Sequence, residues 1–237
     1  MRIVILGGSG FVGTTLLRRL ARDGHELLVP TRNRSRHREL ALGARVQVAE
    51  GDVYDRDWLA RQFANADAVI NLVGILNESG VGGAGGREFE RAHVQLTATV
   101  IAACALAKVS RLLQMSALNA GADCSHYLRT RGAAEALLRS SALRWTLFRP
   151  SVIFGPGDGL FCRFAQLLSL TPVLPLAAAR ARFQPVAVED VAEAFAVAGA
   201  AYAVNLTTRA SIAVAARVRS SGNTIVIAND ELELDAQ

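Results

Sequence analysis

Lysine is almost missing from this chain: Lys108 is the only one among 26 basic residues, and arginine supplies the rest. The net charge of +5 is carried by scattered arginines in an alanine-rich sequence, a bias that reflects genome composition before any polyanionic partner. One cluster, RNRSRHR at 32–38, stands apart, but no nucleic-acid-binding module accompanies it, so no nucleic acid is expected. Cysteine is scarce too. Cys104, Cys124 and Cys162 match neither metal nor redox spacing and read as small buried or half-buried residues. No two of the four histidines have metal-ligand spacing, and no Ser or Cys sits in a nucleophile elbow. No metal is therefore expected. One long uncharged apolar run is VQLTATVIAACALA at 94–107. A membrane-spanning helix needs roughly 20 such residues, so this run reads as a buried helix and no membrane span is expected. The N-terminus enters an apolar strand at once, without a basic segment, signal core or cleavage site, which makes the cytoplasm the expected compartment.

What is present is a globular chain of 237 residues, 51% apolar and 20% charged, enough for one large domain plus a small appendage. RIVIL at 2–6 has the character of a buried parallel strand. GGSGFVG follows, and then TTLLRRLARDG, whose apolar residues fall at helical spacing with Gly24 as the stop. Gly7, Gly10 and Gly13 thus lie at the turn from strand into helix. The first permits a tight turn, the second lets a pyrophosphate approach the backbone, and the third lets helix and strand pack closely. With Phe11 and Val12 they place a diphosphate on a helix N-terminus.

The second strand, HELLVPTR at 25–32, should end beside the adenosine ribose. An NAD site usually offers Asp or Glu there to accept from the 2′-hydroxyl. This chain offers Thr31 and Arg32, with Arg34 and Arg36 close behind. A guanidinium cannot accept that hydrogen bond but pairs well with a 2′-phosphate. NADP(H) is therefore favoured over NAD(H), although some of these arginines must simply belong to a solvated basic loop.

The alternation continues through RVQVAEGDV, DRDWLARQFANA, DAVINLVG, the long helix REFERAHVQLTATVIAACALAKV, SRLLQMSAL, YLRTRGAAEALLRSS and LRWTLFRP. Strands alternating with helices imply an α/β, Rossmann-type, doubly wound parallel sheet, with ligands at the carboxyl ends of its strands. Asp52 and Val53 fall where an adenine would lie, and Leu72, Val73 and Gly74 end the fourth strand. SGVGGAGG at 79–86 reads as a mobile glycine-rich loop. The expected division is a dinucleotide-binding domain over 1–150 and a small lobe over 151–237.

SHYLRTR at 125–131 puts Tyr127 four positions ahead of Arg131, on one face of the helix after strand five. The set of GxxGxxG at 7–13, GDV at 51–53, NLVG at 71–74, Tyr127, RPSVIFGPGD at 149–158 and VEDVAEAF at 188–195 resembles the short-chain dehydrogenase/reductase superfamily in its extended or atypical branch. More narrowly, NLVGILNES, HVQLTATV, SALNAGAD and RFQPVAVEDVAEA resemble the NAD-dependent epimerase/dehydratase type, in the subgroup of the NAD(P)H-binding accessory subunit of respiratory complex I and its bacterial relatives. The resemblance runs to about residue 201. It implies a Tyr acid/base at Tyr127 and a nicotinamide-ribose cation at Arg131, where catalytic members carry lysine. It also implies a substrate-polarising hydroxyl, for which Ser116 is offered although the family spacing points nearer Ala117 or Leu118. Pro150, after Arg149, falls where relatives close over the nicotinamide, and His93 where relatives carry His or Asn.

Arginine keeps the charge that favours a tyrosinate but does not release a proton. With the hydroxyl position altered as well, the expectation is an NADP(H)-binding protein with weak or no turnover. The resemblance implies a structural or redox-sensing partner role in a membrane-bound respiratory assembly, peripheral to the inner membrane through a protein partner. The other reading is an active NADPH-dependent reductase, dehydrogenase or sugar-nucleotide epimerase/dehydratase using Tyr127. After strand six the sequence reads as a loop, the helix LFCRFAQLL and a proline-bounded extended segment. The remainder past 201 reads as one short helix and one strand, a shortened substrate lobe.

Overall fold

The computed structural model describes residues 1–43, 45–78, 85–170, 184–200, 217–221 and 224–228. Its main sheet is built on β1 (Arg2–Leu6), β2 (Glu26–Thr31), β3 (Val46–Glu50), β4 (Ala68–Asn71), β5 (Arg111–Met115) and β6 (Arg144–Pro150). These strands lie in the order β3-β2-β1-β4-β5-β6, each parallel to its neighbours. The strand order reverses direction between β1 and β4, which opens a crevice at their carboxyl ends. The expected doubly wound Rossmann sheet is thus observed.

Parallel strands must be covered on both faces, and β1 shows why its sequence is apolar throughout. Ile3 and Ile5 face a core with Leu16, Leu17 and Leu20 of α1 (Phe11–Arg22). Val4 and Leu6 point the opposite way, into a core with Leu59 and Phe63 of α2 (Arg56–Phe63). The second core is completed by Leu96 and Val100 of α4 (Leu96–Ala107) and Leu138 of α5 (His126–Arg139). The first is closed by α7 (Val188–Ala200), whose Phe195 stacks on Phe148 of β6 with ring centroids 3.7 Å apart. Arg19 of α1 pairs with Glu193 of α7 and fixes the angle between them. Each stabilising element here is a buried apolar stripe, with the half-buried ion pair as a supplement of small weight.

Helix starts follow local chemistry. Asp55 caps α2, accepting from the Asp57 and Trp58 N–H groups at 3.0 Å each. Ser125 caps α5 through Leu128 N–H. The long helix is not uniform. A short turn, α3 (Arg87–Phe89), leads into a π-helical stretch, Glu90–Gln95, before α4. Lys108, the lone lysine, ends α4 in the left-handed region at φ 58°.

Three segments differ from their reading as sequence. The basic segment after β2 is a run of 3-10 turns over Arg34–Leu42, capped by Asn33 and broken at His37, rather than an open loop. The carboxyl-terminal part contributes two strands: β10 (Thr224–Ala228) adds to β6 in parallel, and β9 (Arg217–Ser221) pairs with it antiparallel. Alternation of Ile and Val in β10 was legible; the partner RVRSS, polar and short, was not. Cys124 is exposed rather than buried, because it sits in the turn before α5. Beyond β6, β7 (Ile153–Phe154) and β8 (Val186–Ala187) form a separate two-stranded parallel sheet, with α6 (Phe161–Leu170) between them in sequence. The glycine-rich positions 79–84, the proline-bounded segment within 171–183 and the short helix expected between 201 and 216 lie outside the described residues.

Candidate functional site

The turn from β1 into α1 is shaped by what its glycines lack. Gly7 has φ 77°, and a Cβ there would lie 3.1 Å from the backbone nitrogen of Val73. A Cβ on Gly13 would overlap the Gly7 carbonyl oxygen and lie 2.6 Å from the Gly8 carbonyl carbon. Helix and strand therefore approach to a distance only glycine permits. Gly10 caps α1 with no side chain over the helix end, and no acidic residue lies in the first turn. The N–H groups at the head of α1 thus face the crevice with the positive end of the helix dipole and no competing carboxylate, which suits a diphosphate. Phe11, Val12 and Gly13 supply that first turn. Phe11 also packs near Gly155, which carries the chain from β7 over the same opening.

At the adenosine end, Thr31 is buried and its hydroxyl accepts from Asn33 N–H at 3.3 Å. Arg32, Arg34 and Arg36 are exposed, with the backbone of Arg34 held by Glu50 and that of Arg36 by Asn33. Asp52 accepts from Tyr54 N–H at 2.9 Å, and Val53 packs on the core beneath. Two residues that the sequence reading did not single out meet here. The Arg91 guanidinium lies 4.5 Å from the centre of the Tyr54 ring. Burial holds the Tyr54 phenol above its ordinary pKa, against the opposing pull of the Arg91 and Arg32 charges.

The floor of the crevice is made by the end of β4. Asn71, 1% exposed, donates to Gln114 at 3.0 Å and accepts from Val73 N–H, which turns Leu72, Val73 and Gly74 across the opening. Arg131 lies over Gly74, so closely that a Cβ on Gly74 would overlap its Nη2. It is buried, and Nη1 donates to the Met115 carbonyl at 3.1 Å and the Val73 carbonyl at 3.5 Å. Its Nε has no partner among the described residues. The guanidinium carbon sits 5.4 Å from the centre of the Tyr127 ring. Arginine at this position thus ties α5 to the ends of β4 and β5 through main-chain carbonyls.

Tyr127 is half-buried, with its ring edge-to-face against Phe89 at 5.9 Å and His93 at 5.4 Å. His93 is 1% exposed. Thr130 donates to the main-chain carbonyls of His126 and Tyr127, so its oxygen accepts from His93 Nδ1 at 2.8 Å. His93 Nε2 then accepts from Ile75 N–H at 3.4 Å. These partners assign the neutral ring with its proton on Nδ1. Burial, and secondarily the Arg131 charge, lowers its pKa to about 3. His93 therefore joins the long helix to α5 beneath Tyr127.

Ser116 is placed differently from Tyr127. It is 3% exposed, and its hydroxyl donates to Glu135 at 2.6 Å. The same buried carboxylate accepts from Arg149 Nε at 2.8 Å and Arg139 Nη2 at 3.5 Å. Ser116, Glu135 and Arg149 thereby lock β5, α5 and β6 together, and Pro150 follows with its carbonyl accepting from Leu118 N–H at 2.9 Å. Glu135 was legible only as a lone acid among apolar neighbours on α5. Nothing in the sequence marks Arg91. Among the described residues no group of His, Cys, Asp and Glu could hold a metal, and no helix is long and apolar enough to cross a membrane.

A family model described as NAD(P)H-binding matches residues 7–159. Ceramide reductase of Caulobacter vibrioides is 31% identical over 194 residues, covering 80% of this chain and 58% of that protein. NADH dehydrogenase [ubiquinone] 1 alpha subcomplex subunit 9, mitochondrial, of Arabidopsis thaliana is 31% identical over 198 residues, covering 80% of this chain and 48% of that one. The chain spans about half the length of the curated relatives it matches. Among solved structures, UDP-glucuronic acid 4-epimerase of Bacillus cereus, in complex with UDP-glucuronic acid and NAD, superimposes with a TM-score of 0.75 at 17% identity, covering 98% of this chain and 78% of that chain. At that identity the likeness is one of fold.

Proposed function

The chain belongs to the NAD(P)H-binding family, and from that premise we propose that it is an NADP(H)-binding protein of the short-chain dehydrogenase/reductase type with weak or no turnover. The observation that carries this reading is the contrast between two halves of one crevice. The diphosphate cradle of Gly7, Gly10, Phe11, Val12 and Gly13 is open and free of acid, whereas Arg131 is buried against two carbonyls and the Ser116 hydroxyl is engaged by Glu135. A bound nicotinamide would supply hydride chemistry. The residues of this chain would hold it through the head of α1, Asp52–Val53, Leu72–Gly74 and Pro150, with Arg32 and Arg36 offered to a 2′-phosphate.

The same reading gives the protein a structural or redox-sensing role beside a larger respiratory assembly, attached to the inner membrane through a protein partner. The match to the Arabidopsis subunit supports that role. We divide the chain into a cofactor domain over 1–150 and a small lobe over 151–237, with α7 returning from the second to seal the first. Native mass spectrometry of the purified protein tests the reading. A retained mass of NADP(H) is the expected result, and a bare protein that also fails to take up added NADPH overturns it.

A second reading has its own observation. Tyr127 is half-buried beside a cation, and no described residue is bonded to its hydroxyl, as an acid/base residue requires. An active NADPH-dependent reductase, dehydrogenase or epimerase would use it so, and the match to ceramide reductase favours a reductase. NADPH oxidation in the presence of a carbonyl panel, abolished by Tyr127→Phe with cofactor affinity intact, would establish this alternative. No oxidation with any carbonyl, in protein that holds NADPH, returns the assignment to the first reading.

A further inference from the structure

Arg91 leaves the long helix within its π-helical stretch, Glu90–Gln95, where the widened turn shifts the register of the side chains. Its guanidinium comes to rest 4.5 Å from the centre of the Tyr54 ring. That ring is a fixed seat. Tyr54 N–H donates to Asp52 at 2.9 Å, the Asp55 N–H closes the same turn on the Asp52 carbonyl at 3.1 Å, and the ring packs on the core below α2. A guanidinium stacked on such a plate loses little freedom when it gains a ligand.

Arg32 follows the end of β2, and its charge acts on the same phenol. The register holds it there: Thr31 pairs with Glu50, and Gly51 N–H donates to the Thr31 carbonyl at 2.9 Å, which brings the end of β2 against the turn that carries Tyr54. Both guanidinium groups are exposed, and among the described residues neither is paired with a carboxylate. Two cations acting on one phenol repel each other, and an anion shared between them reverses that interaction. The anion must sit at the carboxyl ends of β2 and β3, the adenosine end of the crevice. A phosphate monoester suits planar donor forks from two sides.

We propose that Arg91, seated on Tyr54, is a cofactor-specificity residue that clamps the 2′-phosphate of NADP(H) together with Arg32. The assignment rests on the NADP(H) reading above and adds to it a residue from the opposite wall of the pocket. It makes 2′-phosphorylated adenosine, rather than the nicotinamide half, the part of the ligand that the clamp reads.

Titration calorimetry of the full chain with 2′,5′-ADP and with 5′-AMP tests it, since these differ only in the 2′-phosphate. The wild-type protein is expected to prefer 2′,5′-ADP. Arg91→Leu should weaken 2′,5′-ADP about tenfold while 5′-AMP stays within about twofold. Tyr54→Leu, which removes the seat, should move the same ligand in the same direction. Arg91 is exposed, so its replacement leaves the fold intact, and a melting curve on each variant checks this. If Arg91→Leu weakens both ligands equally, or neither, while the wild-type preference stands, the clamp is wrong and the NADP(H) reading survives. If the wild-type protein shows no preference, that reading fails and the clamp with it.

Discussion

Arg131 occupies the space that a side chain at position 74 would need. Its Nη2 overlaps where a Cβ on Gly74 would lie, and Cζ would be 2.8 Å from it. Nothing in the backbone at Gly74 demands glycine, since its φ is not among the positive ones. The position is a steric one. Gly74→Ala should push Arg131 off the Met115 and Val73 carbonyls and cost about 1–3 kcal/mol of stability, the range for a broken bond to a buried charged group. Chemical denaturation of the pair measures it, and an unchanged midpoint would show that the arginine moves aside freely.

Ser116 should matter to stability rather than to chemistry. Its hydroxyl donates to a carboxylate that is 3% exposed and already holds Arg149. Ser116→Ala should lower stability by about 1–2 kcal/mol and leave NADPH affinity unchanged. A loss of turnover with unchanged stability would instead restore the serine as a substrate-polarising group.

The buried His93 ring predicts an acid limb. Its folded pKa is lowered to about 3, below the ordinary value near 6.5, so the unfolded chain binds a proton there that the folded one refuses. This contribution to stability is complete above about pH 6.5 and declines as the pH falls toward 3, by about 1.4 kcal/mol per pH unit. His93→Gln should therefore flatten the dependence of unfolding free energy on pH between about 6 and 4, relative to wild type. Parallel slopes for the two proteins would mean that the ring is not the responsible group.

Gly13→Ala improves helix propensity yet should destabilise, because the new methyl group collides with main-chain atoms of Gly7 and Gly8 that cannot rotate away. A loss of about 1–3 kcal/mol together with loss of NADPH binding is expected. Gly159→Ala, where no described residue comes within 4 Å, is the matched control. Equal melting temperatures for the two variants would disprove the close helix–strand contact.

Periodicity reached the sheet because β1, β2 and β4 are buried on two faces and read as nearly continuous apolar runs. It reached the phosphate cradle because glycine spacing is itself a statement about backbone approach. It placed Tyr127 and Arg131 on one helical face but not the direction of the arginine, which depends on the carbonyls that β4 and β5 happen to present. Ser116 could be located on the strand end, whereas its partner Glu135 comes from a helix 19 positions on. Arg91 was invisible for a similar reason. Its orientation depends on a local widening of the helix that no residue in ERAHVQ announces.

Glu78 supplies a last consequence. Its carboxylate accepts from the N–H groups of Gly86 and Glu88 at 2.9 Å each and of Phe89 at 3.4 Å, at the head of the long helix. The two stems of the glycine-rich connection are thereby stitched to each other by one side chain. The head of the long helix is thus neutralised from within the chain, by one carboxylate carried on the segment that follows β4.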